Sequence, residues 1–164
     1  MVSKPHLECI ERICNEFVEY KEQILFRFTI GSHHDEILKF WEPNAPAYHE
    51  RQTALATAFV EGYKTSVSCE PLLEPVAVGL FNRLKPMITD SIWFGGMNKM
   101  DQRVDTTGWT EKDFSFAYKA WEAKAPGQVK KYYEALKDEP KVRFKDSFKK
   151  ILGIPSPERI GLDI

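Results

Sequence analysis

LECIERICNEFVEYKEQILFRFTIG, residues 7–31, is the stretch on which the reading of the fold turns. Leu7, Ile10, Cys14, Phe17, Ile24 and Phe28 recur mostly every three to four residues, with Glu8, Glu11, Glu19 and Glu22 between them. That spacing predicts one long amphipathic helix. Ser3 is placed to cap it and Gly31 to end it.

The same rhythm runs outward from this segment. Ser32 followed by Asp35 and Glu36 reads as the capped start of a short second helix, stopped by Pro43. A third helix is expected from Pro46, capped by Asn44, to Ser66, with Tyr48, Leu55, Phe59 and Tyr63 as its buried stripe. Val76, Leu80, Leu84, Ile88 and Ile92 recur every four residues, which predicts a helix kinked at Pro86. Val76–Phe81 also reads as a buried strand, because periodicity alone does not separate the two. Trp93 to Gly108 is the longest loop. Thr110 then caps a helix over 111–124, and Pro126-Gly127 opens the next, marked by Val129, Tyr132, Tyr133 and Leu136. A last helix after Pro140 carries Phe144, Phe148, Ile151 and Leu152 and ends at Gly153. The expected fold is therefore all-α, a bundle of six or seven helices with one long loop. Residues 1–154 form a single domain, and 155–164 an extended, mobile tail.

Composition agrees with a globular chain. Of 164 residues, 43% are hydrophobic and 29% charged, a mix that favours a packed core over disorder. A formal charge of −1 gives no global attraction to nucleic acid or anionic lipid. The longest run without a charged residue is 52–60, far short of the roughly 20 residues a membrane span needs. Cys9, Cys14 and Cys69 form no CxxC pair. On one helix Cys9 and Cys14 are about 7.5 Å apart along the axis, too far for a disulfide. Free thiols and a reducing, cytoplasmic setting are expected.

Motif chemistry is sparse. There is no glycine-rich dinucleotide loop, no phosphate loop and no nucleophile elbow. The acidic run from Asp101 to Glu111 fails as a calcium loop, since Arg103 falls where a ligand belongs. No catalytic residue nominates itself, and no cofactor is expected.

Three sets of residues remain. Trp93, Phe94, Met97 and Trp109 lie in or beside the Gly95-Gly96 loop, where large apolar groups favour a partner-binding edge. Lys141, Lys145 and Lys149 fall at i, i+4, i+8 on the expected last helix, a stripe of about 12 Å. With Arg143 and Lys150 they suit successive phosphates of a nucleic acid. His33, Glu36 and His49 are the third set, a metal candidate between the second and third helices. The Glu-x-x-His pairs of a di-metal bundle are missing, and residues 33–36 serve equally as a capped first turn. The leading expectation is a non-enzymatic protein-binding or regulatory module whose partner is another protein or a second copy of itself. Nucleic-acid binding and a metal-dependent helical-bundle enzyme stand as the alternatives.

Overall fold

The computed structural model describes residues 2–4 and 6–156. It overturns the all-α bundle: the chain is α/β. Five strands form one all-parallel sheet, and their order in space is their order in sequence. They are β1 (Val2–Ser3), β2 (Leu25–Thr29), β3 (Lys64–Cys69), β4 (Ile92–Phe94) and β5 (Val142–Phe144). The helices are α1 (Leu7–Glu16), α2 (Asp35–Trp41), α3 (Tyr48–Val60), α4 (Ala77–Leu84), α5 (Met100–Arg103), α6 (Glu111–Ala123), α7 (Pro126–Leu136) and α8 (Asp146–Leu152).

Each expected helix that failed did so where a strand begins. The long first helix stops at Glu16, continues as a 3-10 turn over Val18–Gln23, and gives way to β2. Phe26, Phe28 and Ile30 are buried, while Arg27 and Thr29 between them are partly exposed. This period of two is the mark of a strand. The third helix ends at Val60, and its expected last residues, Lys64 to Ser66, open β3, where β-branched Thr65 and Val67 alternate with serines. The kinked helix breaks at Pro86 into a 3-10 turn, and Ile92 starts β4. Phe144 lies in a strand rather than on a last helix. Val76–Phe81 resolves as helix, apart from Val76 itself, which is the cap residue of α4. Ser3 pairs in β1 instead of capping α1. Ser32 and Asn44 cap nothing: His34 and Ala47 stand at those helix starts.

Sequential order has a geometric consequence. Right-handed crossovers between parallel neighbours, always stepping the same way, put their helices on one side of the sheet. The core shows that layer. Phe26, Phe28, Val67, Cys69, Ile92, Phe94, Val142 and Phe144 project from the strands into Ile10 and Cys14 of α1 and Leu55 and Ala58 of α3. Leu80 and Leu84 of α4 and Val129 and Tyr132 of α7 complete it. The Tyr63 hydroxyl donates to the Cys14 carbonyl at 2.8 Å and ties α1 to the start of β3. All three thiols are free; Cys14 and Cys69 are buried and Cys9 is exposed. Burial pushes the Cys69 thiol far above its usual range.

Arg51 of α3 is fully buried. Its Nε donates to the Pro46 carbonyl at 2.6 Å and its Nη1 to that of Thr29 at 3.2 Å. Nη1 also meets Glu42 at 2.6 Å, so the α2–α3 connection is clamped to the end of β2. Among the described residues, no helix is long and apolar enough to cross a membrane. Most of the expected C-terminal tail, residues 157–164, lies outside the described residues.

The strand assignment makes a direct prediction. Phe28→Ala should lower unfolding free energy by about 3–5 kcal/mol, the range for emptying a core aromatic site. Val60→Ala, at a position 78% exposed, should change it by about 0.5 kcal/mol or less. Urea denaturation of the two variants checks both.

Candidate functional site

Parallel sheets are usually apolar on both faces. This one is not. In register with Arg27 and Thr29 of β2 stand Ser66 and Ser68 of β3. Ser68 is aligned with Trp93, and Trp93 with Arg143. With Glu70, Ser91 and Lys145 two positions further along or back, these side chains form the second face. None of them belongs to the hydrophobic core.

The polar groups are chained together. Arg27 Nε donates to Ser66 Oγ at 3.1 Å, and Ser66 Oγ lies 3.1 Å from Ser91 Oγ. Ser91 Oγ donates to Asp90 Oδ2 at 2.5 Å and accepts from Trp93 Nε1 at 2.8 Å. Because the Ser91 proton goes to Asp90, Ser66 must donate to Ser91. Both hydroxyl orientations are thereby set along one path from guanidinium to carboxylate. The Trp93 ring, 7% exposed, carries Arg27 Cζ at 5.3 Å and Lys145 Nζ at 4.8 Å from its centroid, within cation–π range. Lys145 Nζ also lies 3.8 Å from Glu70.

Gly95 makes room for this arrangement. A Cβ there would stand 2.9 Å from both Glu70 Oε1 and Lys145 Cβ and 3.0 Å from Ser147 Oγ. Gly96 N–H donates to Ser147 Oγ at 3.0 Å. The Lys145 N–H donates to the Phe94 carbonyl at 2.8 Å and holds the lysine at the end of β5. Arg27, Ser66 and Trp93 lie in mid-strand, and Asp90 and Ser91 precede β4. Glu70, Gly95, Lys145 and Ser147 follow the carboxyl ends of β3, β4 and β5, the end at which open α/β sheets and β/α barrels bind their ligands.

A second group lies at the same end of the sheet. His33 and His34 follow β2, and Glu74 follows β3. His34 Nδ1 is 2.8 Å from both Glu74 oxygens. Ser32 Oγ donates to Glu74 and accepts from the His34 N–H. The two imidazoles lie against each other, tilted by 38°, with centroids 4.1 Å apart. Burial, then the neighbouring His34, lowers the His33 pKa and favours its neutral form.

The expected site residues fall differently from their sequence spacing. Trp93 and Phe94 are buried in β4, not displayed on a loop. Met97 packs against the small cluster of Ile37, Leu38, Leu73 and Phe116. Trp109 makes edge contacts with Phe40 at 5.3 Å and Phe114 at 5.4 Å. Lys141, Arg143 and Lys145 belong to β5 and its flanks, so the helical stripe with Lys149 and Lys150 does not form. Lys149 is buried and Lys150 exposed. His33 meets His34 and Glu74, while Glu36 pairs with Lys112 at 3.0 Å and His49 contacts Thr53 on α3. Sequence reasoning missed Arg27, Ser66, Ser91 and Glu74. The alternation in 25–30 and 64–69 was the available signal for the first two. Comparison with known protein families, with curated proteins and with solved structures gives no match.

Ser91→Ala removes the shared partner of Trp93 and Ser66. It should destabilise the fold by about 1–3 kcal/mol, the cost of leaving buried polar groups unpaired. It should also shift the Trp93 emission, and thermal and fluorescence measurements on the variant check both effects.

Proposed function

We propose that this chain binds an anionic small molecule on the polar face of the sheet, between Arg27 in the middle of β2 and Lys145 at the carboxyl end of β5. The observation that carries the reading is the placement of Arg27 and Lys145 on the Trp93 ring. Two cations are held by a buried indole on a face whose hydroxyls are already committed to one another. Ser66 takes up only the Nε proton of Arg27, and the two terminal nitrogens of its fork suit a carboxylate or phosphate. A half-buried setting strengthens such contacts relative to bulk water. A polar face on a parallel sheet is a departure from the usual pattern, and such departures concentrate at functional positions.

Citrate and pyrophosphate, titrated at low salt, serve as carboxylate and phosphate probes. Tryptophan emission should change saturably, and the change should vanish in Trp93→Phe. Arg27→Ala should weaken binding at least tenfold, about 1.4 kcal/mol. Absence of any emission or thermal-stability response to both anions would overturn the reading, as would an unweakened Arg27→Ala.

A second reading, protein binding, is favoured by a different observation. Phe114, Tyr118 and Trp121 are each at least half exposed and share one face of α6 at i, i+4, i+7. Phe114 and Trp121 border a cavity of about 410 Å³ lined also by Val104 and Trp109. Isolated exposed apolar groups are ordinary, but a contiguous stripe marks an interaction surface. A stripe that repeats along one helix is self-complementary under a two-fold axis, which suits a second copy of this chain. Light scattering across a concentration series should show a dimer that Trp121→Glu abolishes. A wild-type chain that stays monomeric throughout would exclude that occupant.

A further inference from the structure

We propose that His33, His34 and Glu74 form a binding site for one divalent transition-metal ion of the zinc class. Each residue offers one ligand atom, and the three atoms all lie within 4.8 Å of one another. Two imidazoles and one carboxylate are a donor set that zinc accepts with a fourth position left open. Imidazole nitrogen selects for zinc-like ions over magnesium or calcium, which prefer all-oxygen cages.

The surroundings are those of a held site. Glu74 is 4% exposed, and Ser32 and His34 are the hydrogen-bond partners of its carboxylate. Ser32 therefore stands behind the ligand as an orienting group, the usual arrangement around a metal. His33 Nδ1 is buried and has no hydrogen-bond partner. An unpaired buried nitrogen costs free energy, and coordination to a metal ion would satisfy it. The His34 side chain is 56% exposed, so an ion has a path in from solvent. His33 and His34 line a cavity of about 360 Å³ with Asp35, Glu36, Ile37, Phe116 and Lys119. The open position of the ion thus has space for water or a small ligand.

The chain keeps this geometry by backbone pairing. The Ile30 N–H donates to the Ser68 carbonyl at 3.0 Å, and the Leu73 N–H to that of Gly31 at 2.9 Å. A Cβ on Gly31 would lie 2.3 Å from the Pro71 carbonyl oxygen, so the segment carrying the histidines and the segment carrying Glu74 approach at contact distance. Residues 40 positions apart in sequence are brought together by two adjacent strands. The site does not share residues with the proposed anion face, and neither reading requires the other.

Chelator-treated protein titrated with Zn²⁺ by calorimetry should bind one ion per chain. Co²⁺ added to the same protein should give the visible absorption of a low-coordinate cobalt site. His34→Ala, at a half-exposed position where the fold should tolerate truncation, should weaken Zn²⁺ at least tenfold and abolish the cobalt bands. Glu74→Gln should do the same, with circular dichroism confirming a folded chain. His49→Ala, on the exposed face of α3, should bind like the wild type. Absence of stoichiometric Zn²⁺ binding would overturn the proposal, and so would affinity lost in His49→Ala but kept in His34→Ala.

Discussion

The fold depends on a constraint of connectivity: parallel strands laid down in sequence order receive their helices on one side only. The apolar residues that build the core from β2 to β5 must then point the same way, and they do, from Phe26 and Phe28 through Val67 and Ile92 to Phe144, while Trp93 stands on the other face. The opposite face has no such demand on it. Its side chains are free to be chosen for hydrogen bonding and charge, provided that each buried polar atom finds a partner. The path from Arg27 through Ser66 and Ser91 to Asp90 meets that condition with both serine hydroxyl protons used. The helix layer and the polar face are two results of one topology.

How much of this was legible follows from particular residues. α6 was readable because Thr110 and Asp113 make a reciprocal cap that is local in sequence. α7 was readable from Val129, Tyr132 and Leu136, α4 from Leu80 and Leu84, and the end of α8 from Gly153 in its left-handed conformation. The strands were not. Ile24 and Phe28 are four apart, a distance that satisfies a helix and, by coincidence, an even-numbered strand spacing as well. Lys141, Lys145 and Lys149 repeat the ambiguity at the other end of the chain. Strands of two to six residues give too few turns of either period to decide, and pairing with a distant strand settles the matter. That pairing is information the local pattern does not contain.

The sites show the same division. His33 and His34 stood out as the densest metal-capable pair, but their companions by proximity, Glu36 and His49, point to Lys112 and Thr53. The carboxylate they meet is Glu74, after the next strand. Trp93 was marked as a functional aromatic and occupies the middle of the polar face, yet as a buried platform beneath two cations. In both cases residue type was informative and sequence neighbourhood was not.

The three free thiols sit at three depths of this architecture. Cys9 is on the outer side of α1, Cys14 lies between α1 and the rest of the helix layer, and Cys69 is sealed at the centre of the sheet. A thiolate is the reactive form, so a buried thiol stays inert until its surroundings open. An alkylating reagent would therefore read the molecule from outside inward: at once at the surface, next where α1 lifts, last where the strands part. The chain carries its own depth gauge for local opening, written in three atoms of sulfur.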